Sequence, residues 1–225
     1  MFIDLWAVVA TKGLARIVTL SLGVSLSATL LATLLGLLLG AALAVYSFLG
    51  RRALIILANA LLGLPPVIVG LALYLLLSRS GPLGGLGILF TPGAMVLAQA
   101  ILATPIVTAL VHRAVDNAWD QYGGALLIDG ATPLRAIPHL LAIERLGILT
   151  AILAAFGRTV SEVGAILIVG GNIAGYTRTM TTAIVLETSK GNLALALGLG
   201  FVLIGITTAV SATAFALGTW KGERS

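Results

Sequence analysis

The run Phe156-Gly157-Arg158-Thr159-Val160-Ser161-Glu162-Val163-Gly164-Ala165 sets a guanidinium, a hydroxyl and a carboxylate inside an otherwise apolar stretch. At bilayer depth each charge costs about 3 kcal/mol or more on insertion scales, so these side chains must face protein or water. Arg158 and Glu162 are four residues apart, on one face of a helix, and can pair to cancel much of that cost. Two roles fit. One is a structural ion pair that fixes helix packing; the other is the wall of a translocation pathway, with Arg158 and Ser161 donating to an anion while Glu162 holds the arginine. Hydrolysis at Ser161 would need a nearby base, and no histidine lies at membrane depth, so no catalytic residue is expected. The chain has no cysteine, and its two histidines, His112 and His139, lie apart in a polar stretch, so no metal site is expected. No GxxxxGK[ST] loop occurs, so any ATP-driven work requires a partner, and no cofactor site is expected in the chain itself.

Two further motifs could act on such a pathway. Leu64-Pro65-Pro66 lies mid-span, where each proline removes an amide donor and the first disfavours helix before it, so the helix should kink or unwind. A break at that depth either shapes packing or marks a pathway, and Pro65, Pro66 and Asn59 are placed beside it. The segment Gly171-Asn172-Ile173-Ala174-Gly175-Tyr176-Thr177-Arg178 is glycine-rich and exposes donors; Gly171, Asn172, Tyr176 and Arg178 are candidates to meet a delivery protein or a passing ion, if it is more than a flexible connector.

The elements that must hold these residues are hydrophobic spans. Of 225 residues, 59% are hydrophobic and 9% charged, and the mean hydropathy is +1.13, beyond what a soluble core hides. The chain is therefore expected to be an all-α integral membrane protein, one transmembrane domain over residues 1–225 in contact with lipid. Five stretches reach the length needed to cross: Ile17 to Leu49, Ala53 to Leu77, Pro92 to Val111, Gly147 to Gly170 and Leu193 to Gly218. Phe2 to Leu14 is expected to lie along the surface as a short amphipathic helix with Trp6 at the headgroups, and without a signal peptide's basic start it stays in the mature chain. Gly36 and Gly40 have GxxxG spacing in the first span.

Orientation follows from loop cations. With the N-terminus outside, the inner side holds Arg51, Arg52, Arg113, Arg135, Arg145, Lys221 and Arg224, against Lys12, Arg16, Arg79, Arg178 and Lys190 outside. Single cations beside apolar spans set topology, so the net charge of +5 does not point to nucleic acid. This orientation puts His112 to Leu146 in the cytoplasm. That stretch is too long for a bare connection and carries helical periodicity, as a docking surface would. A helical run from Gly123 should end at Gly130 in a left-handed conformation; Thr132 should cap a second helix that begins at Pro133 and carries Arg135.

At these residues the chain resembles the membrane subunits of ATP-binding cassette importers, whose cytoplasmic signature runs Glu-Ala-Ala, three residues, Gly, then about ten more to Ile-x-Leu-Pro. Gly124-Ala125-Leu126 and Gly130 match the first half, with Gly124 in the acidic position; Ile137-Pro138-His139-Leu140-Leu141 stands for the second. Gly63 to Gly84, Phe90 to Leu110 and Ser161 to Asn192 are similar to tungstate permeases, close to those of molybdate and sulfate, and the resemblance covers Ala15 to Leu217. It implies a type I importer permease in the cell membrane. Two copies would form the pathway, and a cytoplasmic ATPase dimer, which binds ATP and magnesium, would grip Gly123, Gly124, Ala125, Asp129, Gly130, Ala131, Pro133 and Arg135. An extracytoplasmic binding protein would deliver the oxyanion. The contrasting possibilities are a gradient-driven transporter or channel that uses Arg158 and Glu162 as its coupling pair, and a membrane scaffold without cargo.

Overall fold

The computed structural model describes residues 12–220, with side chains at 13–216. Every regular element among them is helical: α1 (Lys12–Val45), α2 (Arg51–Ala60), a 3-10 turn (Leu61–Gly63), α3 (Pro66–Leu77), a second 3-10 turn (Gly84–Leu86), α4 (Pro92–Ile128), α5 (Pro133–Ile143), α6 (Arg145–Val160), α7 (Gly164–Gly170), α8 (Met180–Ser189) and α9 (Leu193–Trp220). Three helices, α1, α4 and α9, are long and apolar enough to cross a membrane alone. Two bent pairs complete a count of five if each is one span: α2 with its 3-10 turn meets α3 at 101°, and α5 meets α6 at 79°.

The axis of the structure is α1 lying along α4. A Cβ on Gly36 would sit 2.5 Å from Val107 Cβ, and one on Gly40 would sit 2.7 Å from the Thr108 carbonyl oxygen, so only glycine lets the two backbones come this close. Gly36 meets Val107 and Gly40 meets Val111, so the helices run parallel. The GxxxG spacing thus marks a real contact. Away from it α1 turns leucines outward, with Leu38 71% and Leu30 61% exposed, as a lipid-facing surface requires.

Pro65 and Pro66 break the second span as expected. Leu64 and Pro65 take extended backbone, ψ 119° and 121°, and α3 restarts with Pro66 in its first turn.

Two expectations need correction. The third span does not stop at Val111. The buried stripe Val107, Val111, Val115 and Ala118 continues at helical spacing past the first charges, and α4 runs unbroken to Ile128. The residues from His112 to Leu146 are therefore the extension of α4, a turn, α5 and the start of α6 rather than a separate loop. The fourth span is not continuous from Gly147 to Gly170: α6 ends at Val160 and α7 starts at Gly164. The Ser161 hydroxyl bonds back to the Gly157 and Arg158 carbonyls, and the Glu162 amide takes a tight bond to the Thr159 carbonyl, closing the helix. Beyond the Gly171 to Arg178 segment, α8 is begun by a capping box between Thr179 and Thr182.

Most of the expected surface segment from Phe2 lies outside the described residues. Its last residues belong to the first turns of α1, where Leu14 is buried against Ala183 and Leu199. Lys221 and Arg224, used above for orientation, also fall outside them.

Candidate functional site

The break in the fourth span is where the charged residues gather. Glu162 is 2% exposed. Its Oε2 pairs with Arg158 Nη1 at 3.0 Å, and its Oε1 accepts from the Ala165 amide at 3.0 Å, satisfying an orphan donor of α7. Its carbonyl accepts from Thr181 Oγ1 on α8 at 3.0 Å. One buried glutamate thus ties α6, α7 and α8 together. Arg158 behaves differently. Its side chain is 31% exposed and, among the described residues, its guanidinium is engaged by Glu162 alone, so donors remain beside the exposed Ser161.

The breaks at Leu64-Pro65 and from Ser161 to Val163 meet here. A Cβ on Gly164 would lie 3.0 Å from Val67 Cγ2, and one on Gly70 would lie 2.8 Å from Ala165 Cα, so the start of α3 packs tightly on the start of α7. Pro65 and Pro66 therefore stand next to the Ser161 to Val163 break, with Pro65 exposed. Asn59 is not drawn into the junction by any hydrogen bond: it is exposed and donates to Ile55 of its own helix at 2.8 Å.

Behind the junction lies a buried polar layer that the motif reading missed. Gln99 Nε2 donates to the Thr159 carbonyl at 2.7 Å, Thr159 and Thr29 share a hydroxyl bond of 3.0 Å, and the Met180 amide donates to Ser21 Oγ at 2.8 Å. The signal was available. Ser21, Ser25, Thr29 and Thr33 recur every fourth residue and face inward together. Gln99 Oε1 and Thr33 Oγ1 have no hydrogen-bond partner among the described residues.

At the far end of α4 the helix-turn-helix forms as the turn chemistry required. Gly130 adopts φ 84°, Thr132 Oγ1 accepts from the Arg135 amide, and Pro133 opens α5. Ala136 and Leu140 bury α5 against the core shared by α1, α4 and α6, which fixes the turn. Outward it presents Ile128, 88% exposed, and Leu134, 66% exposed, with Gly124, Ala125, Asp129, Gly130 and Arg135 also exposed and Ala131 half-buried. Gly123 is buried, because a Cβ there would meet the Trp119 ring at 2.8 Å.

A strut missed by sequence reading braces this end. Arg51 hydrogen-bonds the Leu43 and Ala44 carbonyls at the end of α1 and pairs with Asp116 of α4 at 2.7 Å.

The segment from Gly171 folds tightly. Gly171, Asn172 and Gly175 all have positive φ, Thr177 hydrogen-bonds the Gly170 carbonyl, and Arg178 Nε donates to Asn172 Oδ1 at 3.2 Å. Tyr176 projects from it, 48% exposed. Further on, Lys190 donates to Glu187 and holds that carboxyl below its ordinary range.

Interrupted spans that meet at a half-exposed cation, with an ordered helical turn beyond the membrane length of α4, define the class as a polytopic helical permease. No family model matches the sequence. Among curated proteins, the chain is 41% identical over 204 residues, 88% of each chain, to a probable anion ABC transporter permease protein of Haloferax volcanii. It is also 41% identical to the tungstate uptake system permease protein TupB of Campylobacter jejuni, over 71% of this chain and 66% of the relative. With TupB of Peptoclostridium acidaminophilum the identity is 38%, over 70% and 69%. This chain belongs to the ABC transporter permeases.

Proposed function

We propose that the chain is the membrane-spanning subunit of an ATP-driven importer for tungstate or a closely related oxyanion. The observation that carries this reading is the likeness to two tungstate uptake permeases at about 40% identity, together with an exposed helix-turn-helix where a partner would dock. Molybdate is the nearest other cargo: a permease named for molybdenum transport in Azotobacter vinelandii is 34% identical over 54% of this chain.

In this reading the N-terminal side of α1 faces outward. The turn from Gly123 to Arg135 then lies in the cytoplasm against an ATPase subunit, which binds ATP and magnesium, and Gly171 to Arg178 meets an extracytoplasmic binding protein. Two copies enclose the pathway. The anion passes the junction of Pro65, Pro66, Arg158, Ser161 and Glu162, where the guanidinium donors that Glu162 does not engage suit a tetrahedral oxyanion.

The test is tungstate uptake by vesicles containing this chain with its ATPase, and with binding protein on the outer side. Uptake that requires both partners and ATP is the expected result. Gradient-driven uptake by the chain alone would overturn it.

A further inference from the structure

Resting on the reading of Arg158 as an anion donor, we propose that Glu162 is a charge-attenuating positioning residue, which weakens the hold of that arginine on a passing oxyanion so that the ion is released. An unneutralised guanidinium in low dielectric would be a deep trap for a dianion, and conduction requires a site weak enough to leave. The geometry keeps the carboxylate in place during passage. The Glu162 side chain is 2% exposed and held through Oε1 by the Ala165 amide, while Thr181 anchors the backbone it stands on, so swinging away would cost a buried hydrogen bond.

The guanidinium is free to act while paired. Its contact with Glu162 engages Nη1, and its side chain is 31% exposed with no other contact of this kind to the described residues. Capping the Ala165 amide does not need a charge, since a neutral amide or hydroxyl oxygen serves an orphan N–H as well. What the negative charge adds is its effect on Arg158. Ser161 is exposed next to the pair and offers a place to which a charge can be moved.

The experiment measures tungstate binding to the permease–ATPase complex in nanodiscs without binding protein, and transport by proteoliposomes supplied with saturating loaded binding protein. Glu162→Gln is expected to lower the tungstate Kd about tenfold or more and to slow transport several-fold. The double variant Ser161→Asp with Glu162→Gln, which returns the charge to a neighbouring position, is expected to raise the Kd and restore much of the rate. An unchanged or weaker affinity in Glu162→Gln, or no restoration in the double variant, overturns the proposal. Should Glu162→Gln fail to assemble, Ser161→Asp compared with its neutral isostere Ser161→Asn decides: a Kd about tenfold higher for the aspartate than for the asparagine supports attenuation by charge, and equal Kd values refute it. Arg158→Gln separates this from the underlying reading. If it leaves tungstate binding and transport intact, the anion-donor role itself fails; if it abolishes binding while Glu162→Gln leaves the Kd unchanged, only the attenuation fails.

Discussion

Gly130 is a residue whose conformation, not its size, carries its role. Its φ of 84° is costly for a side chain with a Cβ, about 1–2 kcal/mol, while open space surrounds the place that Cβ would occupy. Gly130→Asn should therefore retain ATPase stimulation, because asparagine tolerates this backbone, and Gly130→Val should lose most of it; co-purification with the ATPase and its turnover check both. Equal tolerance of the two would remove the turn from the docking surface. The residue scale is also where the sequence was most legible. Gly130, Thr132 and Pro133 act through local turn and cap chemistry, and their roles follow from residue type and spacing. Glu162 was legible only in part: its spacing from Arg158 foretold the pair, but its second bond, to the Ala165 amide, exists because the helix ends between them.

At the scale of elements, the long-range partners were what the sequence concealed. The motif reading used Arg51 only as a topology marker, whereas it closes the corner between α1 and α2 and reaches Asp116, 65 positions away. Both side chains are about a third exposed, so Arg51→Ala should lower stability by about 1 kcal/mol, with Arg51→Lys intermediate because it loses the planar fork. Thermal unfolding in detergent reads this. A melting point unchanged by Arg51→Ala would make the strut incidental. The contact between α1 and α4 should be far less forgiving: Gly36→Val drives a side chain into Val107 and the Thr108 amide, and overpacking costs typically 1–3 kcal/mol. Loss of the monodisperse peak on size exclusion is the expected result. The break between α6 and α7 was not legible, since the run from Gly147 to Gly170 contains no proline and is apolar enough to read as one helix; a buried glutamate and back-bonding serine end it instead.

Across the whole molecule, composition and continuous apolar runs announced a helical membrane protein, because runs long enough to cross as helices satisfy their backbone within each segment, whereas barrel strands would alternate. The orientation expected from a small excess of loop cations can be checked directly, since the sequence contains no cysteine. A single cysteine at Asp129 should react with a membrane-impermeant maleimide only after cells are opened, and one at Tyr176 should react in intact cells; the reverse pattern would invert the topology. The central claim, an oxyanion importer that borrows its ATPase, is tested most directly by ATP hydrolysis in the reconstituted complex with its binding protein, titrated separately with tungstate, molybdate and sulfate. The account predicts turnover that rises with oxyanion and is highest for tungstate. Turnover indifferent to all three ions, with each partner active on its own, would contradict it.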